Sequence, residues 1–196
     1  MTRQAIGCVL ALMIVLPGTS FSGEKAAIKI ADLDGRKLKP LNPAEKGSIL
    51  FFVTHDCPVS NAYSPEIRRI HREVAKQGFS CAIAYVDPDA KTDALKKHRQ
   101  EFGLSEVTAF HDRRHQLVKA TGATVTPEAV LIDTEGRTAY RGRIDNLYAD
   151  FGKRRRKATV TDLRDALHNL IAGKPISNAR TEAIGCYIPK PRKNPD

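Results

Sequence analysis

The sequence has no tryptophan, two methionines and four cysteines in 196 residues, and no two cysteines stand in Cys-x-x-Cys spacing. The missing pair removes a local dithiol, and no zinc-finger or RNA-binding signature accompanies the basic residues. Internal repeats and low-complexity segments are absent too. The apolar run Ala5–Leu16 is shorter than the about 20 residues a membrane span needs. With Arg3 before it and Pro17-Gly18 and Ser20-Phe21-Ser22 after it, residues 1–22 read as a secretory signal peptide cut after Ser22. The expectation is an exported protein, periplasmic or secreted, with no stable membrane anchor once Cys8 has left with the signal.

The chain carries a formal charge of +10. That charge is spread along helical faces and concentrates only at Lys153–Lys157 and in the tail. Such a distribution reads as solvated surface, so no nucleic-acid partner is expected. Residues 26–173 suffice for one domain with its own core, followed by a tail, 174–196. Export favours disulfides. Cys57, Cys81 and Cys186 remain, an odd count that allows one pair and one spare.

Ala27–Leu33 alternates as a strand, Asp34-Gly35 turns, and Lys37–Leu41 extends again. Ser48–Val53 is continuously apolar, as a central strand covered on both faces should be. From Pro58 a helical pattern runs through Tyr63, Ile67, Ile70 and Val74, with Pro65 predicting a kink or restart. Phe79–Val86 is a second buried strand. It contains Cys81, which reads as a small apolar core residue and hence as the spare thiol. A helix from Thr92 to Phe102, a short strand Val107–Phe110 and a helix from Asp112 to Thr121 follow. His111 and His115, four apart, are placed to share one helix face. Ala129–Asp133 and Arg137–Gly142 form a hairpin, 144–157 an irregular loop, and Thr159 or Thr161 caps a last helix. The tail's Cys186 has apolar neighbours that suggest docking. These elements predict an α/β fold: a three-layer sandwich of a mixed central sheet with helices on both faces.

The stretch Thr54-His55-Asp56-Cys57-Pro58 organises the rest. It puts a thiol at a helix start, where free N–H groups and the helix dipole favour thiolate. Asp56 reads as the helix cap, although its charge opposes a thiolate. Glu128 is open between a proton shuttle near the thiol and a solvent-facing strand residue. Arg141, Arg143 and Asp145 suggest an ion-pair cluster.

This stretch, with Val125-Thr126-Pro127-Glu128 and Tyr140–Asp145, resembles the thioredoxin fold over residues 26–173. It is similar in particular to the redoxin branch, the peroxiredoxin-like (alkyl hydroperoxide reductase/thiol-specific antioxidant) and exported thiol–disulfide oxidoreductase families. The resemblance implies a cis Pro127 facing Cys57 and shaping the substrate groove. No cofactor is expected. Ser60 stands where thioredoxin-type enzymes have their second cysteine. Thr54 matches the peroxiredoxin pattern, but Leu50 replaces its proline and Pro127 its arginine. Arg141 or Arg143 would have to substitute. Copper chaperones of this fold carry Cys-x-x-x-Cys, and here Asn61 occupies the second position.

Three readings follow. In the first, Cys57 exchanges with a protein or small-molecule thiol or disulfide. His55 is its proton partner, Thr54 a hydrogen-bond donor to the thiolate, Pro127 a groove wall and Cys186 the resolving thiol. The bland counterpart is a permanent structural Cys57–Cys186 bridge. In the second, Cys57, Cys186 and His55 bind Cu(I). In the third, Cys57 reduces peroxide.

Overall fold

The computed structural model describes residues 28–42 and 46–191. The expected signal peptide, with Cys8, lies outside them, as do residues 43–45 of the loop before the central strand and the last five tail residues.

That strand, β3 (Gly47–Val53), is buried at all seven positions. Its side chains alternate between two cores. Ile49, Phe51 and Val53 face a core completed by Tyr63, Ile67, Ile70, Leu163 and Leu167. Leu50 and Phe52 face another with Phe110, Leu117 and Val130. Period-two geometry applied to a wholly apolar strand requires a layer on each side.

Two short strands, β1 (Ile30–Ala31) and β2 (Lys37–Leu38), pair ahead of it. The first is shorter than the alternation predicts, because beyond Ala31 the chain makes only an isolated bridge from Asp32 to Phe110. The main sheet has the order β5-β4-β3-β7-β8. Strands β4 (Phe79–Tyr85) and β5 (Thr108–His111) run parallel to β3, and β7 (Glu128–Ile132) and β8 (Thr138–Gly142) complete an antiparallel edge. The mixed sheet between helical layers is the predicted α/β sandwich.

Helix α1 (Pro58–Ala75) is one continuous helix, with Pro65 inside it rather than at a restart. Proline there cannot donate to the Asn61 carbonyl, and packing of the helix's apolar face holds it together regardless. Helix α2 (Thr92–Glu101) is close to the predicted span. Helix α3 (Gln116–Thr121) begins four residues later than expected. The Asp112 carboxylate accepts from the backbone N–H groups of Gln116, Leu117 and Val118, so it caps the helix from a preceding turn instead of joining it. His111 therefore ends a strand and His115 is left-handed, with φ 52°. The two histidines share no helix face, which corrects that reading.

The segment 144–157 is also more regular than expected: β9 (Tyr148–Asp150) and β10 (Lys153–Arg154) form a small antiparallel hairpin. Thr161 precedes the last helix, α4 (Asp162–Ile171). The tail docks. Its strand β11 (Cys186–Tyr187) pairs antiparallel with β6 (Val125–Thr126), so that Cys186 stands opposite Thr126.

Candidate functional site

Cys57 occupies the N-cap of α1, with extended backbone (φ −78°, ψ 115°) and Pro58 in the first turn. Proline suits that position because its missing N–H would be unpaired anyway. The cap is thus the cysteine itself, and Asp56, read as the cap, lies exposed in the turn before it. Cys57 is 2 % exposed and forms a disulfide with Cys186, their Cα atoms 6.4 Å apart. That separation lies in the ordinary range for a bridge, about 4.4–6.8 Å. Cys81, the predicted spare, is free and buried, and burial pushes its thiol up to about 12.

The tail is held at two places. Backbone bonds join Arg141 N–H to the Ala179 carbonyl and Thr181 N–H to the Arg141 carbonyl, while the Thr181 hydroxyl meets Tyr140 Oη at 2.6 Å. Further along, Ile188 N–H donates to the Thr124 carbonyl beside the β6–β11 pair. Glycine permits both contacts: a β-carbon at Gly142 would overlap Thr181, and one at Gly185 would overlap the Thr126 carbonyl.

Around the bridge, the Thr126–Pro127 peptide bond is cis, as the resemblance implied. Cys57 Sγ lies 3.6 Å from the Thr126 carbonyl oxygen. A carbonyl lone pair opposes a thiolate there, whereas the helix start favours it. The Thr54 hydroxyl meets that of Thr126 at 3.3 Å, and Thr126 donates to the Cys186 carbonyl at 3.4 Å. In this oxidised form Thr54 therefore reaches the tail through Thr126, and its expected bond to a thiolate is not made. Ser60 Oγ, buried three residues after Cys57, has no hydrogen-bond partner among the described residues.

His55 faces Asp87. Its backbone N–H donates to Asp87 Oδ2 at 3.1 Å, and its Nδ1 lies 3.1 Å from Oδ1. That second approach has an ion-pair distance without hydrogen-bond geometry. Burial raises Asp87 above the usual carboxylate range, and the His55 contacts pull it partly back. His111 and His115 hold the loop carrying Asp87, through Nε2 contacts to the carbonyls of Asp87 and Val86 at 2.7 and 3.0 Å. Behind the turn, His98 Nδ1 meets Tyr85 Oη at 2.8 Å and its Nε2 meets Asn61 Oδ1 at 2.8 Å. Asn61 Nδ2 then donates to the His55 carbonyl. Burial raises the Tyr85 pKa and lowers His98 to about 4, so Tyr85 keeps its proton as donor and His98 is neutral with its proton on Nε2. Sequence reading missed this chain; Asn61 on the first turn after Cys57 was its one local signal.

Glu128 is neither solvent-facing nor free to shuttle protons. It is 4 % exposed, accepts from the Thr124 N–H at 2.7 Å, and pairs with Arg141 Nε at 3.2 Å. It clamps the loop before Pro127. The suggested cluster of Arg141, Arg143 and Asp145 is dispersed. Arg143 pairs with Asp162, and Asp145 accepts from the Tyr63 hydroxyl. Both arginines that would have to replace the peroxiredoxin arginine are thus committed to carboxylates.

The metal reading also changes composition. His55, Asp56 and Asp87 bring one ligand atom each within 4.8 Å of one another. Cys57 and Cys186, bonded to each other, offer no thiolate to a soft ion in this state. Among the described residues no helix is long and apolar enough to cross a membrane.

Residues 45–138 match the thioredoxin-like family model. No curated protein sequence matches the chain. Among solved structures it is similar to an uncharacterized conserved protein from Geobacillus kaustophilus (23 % identity, TM-score 0.70, covering 84 % of this chain and 89 % of that one). A hypothetical protein from Sinorhizobium meliloti 1021 is similar at 23 % identity and TM-score 0.69, covering 83 % and 91 %. A secreted disulfide oxidoreductase from Mycobacterium tuberculosis shares the fold at 16 % identity and TM-score 0.55, covering 76 % and 98 %. With a cysteine at a helix start beside a cis-proline, these matches show that residues 45–138 carry a thioredoxin-like domain and that the chain has the thioredoxin-like fold.

Proposed function

We propose that the protein is an exported thiol–disulfide oxidoreductase in which Cys57 and Cys186 are the working pair. One observation carries this reading: the disulfide joins a helix-start cysteine beside cis-Pro127 to a cysteine on a docked tail. In the reduced protein the Cys57 thiolate attacks a substrate disulfide. A Cys57–substrate bond forms, and the substrate's other sulfur leaves as a thiolate that takes a proton from solvent. Cys186 then attacks the Cys57 sulfur, restores the bridge and expels the second substrate thiolate. The substrate gains two electrons and the protein loses two. Ser60 cannot perform the second step, which is why the tail must. His55, held against Asp87 and two residues before Cys57, is the proton partner.

Titration of the folded protein with a dithiol–disulfide buffer, followed by mass spectrometry, tests this. A bridge that reduces and reforms while the fold persists is the expected result. Reduction only on unfolding would make the bridge a structural pin and end the reading. Export rests on residues 1–22. It requires that protein recovered from the exported fraction begin near Gly23.

A further inference from the structure

The two cysteines of the bridge are not equally exposed. Cys57 is 2 % exposed, enclosed by its helix, the Thr126 carbonyl and the tail. Cys186 is half-buried, on a two-residue strand. A cavity of about 700 Å3 has Cys186 on its wall, together with Glu128, Arg141, Phe151, Ile184 and Tyr187, and Cys57 is not among the residues lining it. Phe151 and Tyr187 stand 68 % and 86 % exposed at its margin. The volume is that of a pocket able to seat a ligand, about 300–1,000 Å3.

We propose that a reducing thiol attacks the oxidised protein at Cys186, not at Cys57, and that this cavity is where the thiol docks. The inference rests on the redox reading above. Which sulfur is attacked depends on access and on the leaving group. Access favours Cys186 on the geometry just given. The leaving group favours it too: attack at Cys186 expels Cys57 as a thiolate onto a helix N-terminus, where it is better stabilised than on an isolated strand.

The step balances. The incoming thiolate forms a bond to Cys186 Sγ, the Cys186–Cys57 bond breaks, and its electron pair leaves on Cys57. A second thiolate attacks the incoming sulfur and releases a disulfide, leaving Cys186 reduced. The substrate disulfide therefore meets Cys57 in the reduced protein, and the electron donor meets Cys186 in the oxidised one. Oxidant and reductant are distinguished by the sulfur each can reach.

The test uses the full-length oxidised protein and a monothiol, reduced glutathione. Samples taken at the earliest accessible times are quenched with an alkylating reagent, digested and mapped by mass spectrometry. Glutathione on the Cys186 peptide with alkylated Cys57, in about tenfold excess over the reverse pattern, is expected from the difference in access. Glutathione on Cys57 with alkylated Cys186 overturns the inference and leaves the redox reading intact. If neither adduct forms on folded protein and the bridge opens only in denaturant, both fall.

Discussion

Gly185 packs against the Thr126 carbonyl so closely that residue 185 has no room for a β-carbon, whose next neighbour would be Pro127 Cδ. The residue before Cys186 must therefore be glycine for the tail strand to lie in register with β6. Gly185→Ala forces the strand outward in the oxidised form, while a reduced tail is free to relax. Overpacking of this kind costs about 1–3 kcal/mol. The reduction potential should become less negative by about 20–60 mV, since about 30 mV corresponds to 1.4 kcal/mol for two electrons. Equilibration with glutathione buffers measures this. An unchanged potential would mean that the tail does not need this register.

Ser60 is expected to gain an acceptor, the Cys57 thiolate, when the protein is reduced. Its hydroxyl is buried and unpartnered among the described residues, and it sits one turn into the helix that Cys57 caps. A charge on Cys57 offers it a hydrogen bond worth about 1.5–3 kcal/mol. Ser60→Ala is expected to raise the Cys57 pKa by about one to two units, since 1.36 kcal/mol corresponds to one unit. Ultraviolet absorbance of the thiolate as a function of pH reads this directly, and an unmoved titration would show that Ser60 plays no such part.

His98 makes stability depend on pH. Burial, with His55 nearby, holds it near 4 in the folded protein against an ordinary 6.5. Between these values the unfolded chain binds the extra proton, so the contribution is complete above about 6.5 and is lost as pH falls toward 4. Asp87, Asp112 and Asp145, raised by burial, act in the opposite sense at acid pH. The comparison must therefore be between wild type and His98→Gln. Melting temperature should fall more steeply on acidification in wild type than in the variant. Parallel curves would mean that His98 is protonated in the fold.

Cys81 should be chemically silent. A thiol pushed up to about 12 carries almost no thiolate at neutral pH. In reduced, folded protein an alkylating reagent should modify Cys57 and Cys186 and leave Cys81 untouched. Cys81→Ala should leave the reduction potential unchanged while costing about 1 kcal/mol of stability through lost packing. Labelling of Cys81 before unfolding would contradict its placement in the core.

Much of the architecture was legible because the strongest patterns were physically over-determined. An unbroken apolar run such as Ile49–Val53 has no stable place except between two layers. A cysteine followed by proline at the onset of helical spacing can only be a helix start. What escaped was long-range polar pairing. Glu128 reads in sequence as either a proton shuttle or a solvent-facing strand residue, yet it is buried because Arg141, on the neighbouring strand, and two backbone N–H groups satisfy it. The His111/His115 spacing fits a helix, but Asp112 between them caps the next helix and ends any such continuity. Asn61, His98 and Tyr85 come from three elements, and no local pattern joins them.

The attachment of the tail at Thr181 has a kinetic consequence. The backbone bonds between Arg141 and Thr181 do not depend on the bridge, so once the bridge is reduced and the β6–β11 pair opens, Cys186 moves on a leash of five residues anchored at β8. Such a leash reaches about 17 Å at most, at about 3.4 Å per residue. Confined to that radius, the sulfur behaves as a reagent at millimolar effective concentration or above. Any mixed disulfide on Cys57 is then cleared in a first-order step whose rate does not depend on how much protein is present, and a partner captured there has only the dwell time that the leash allows.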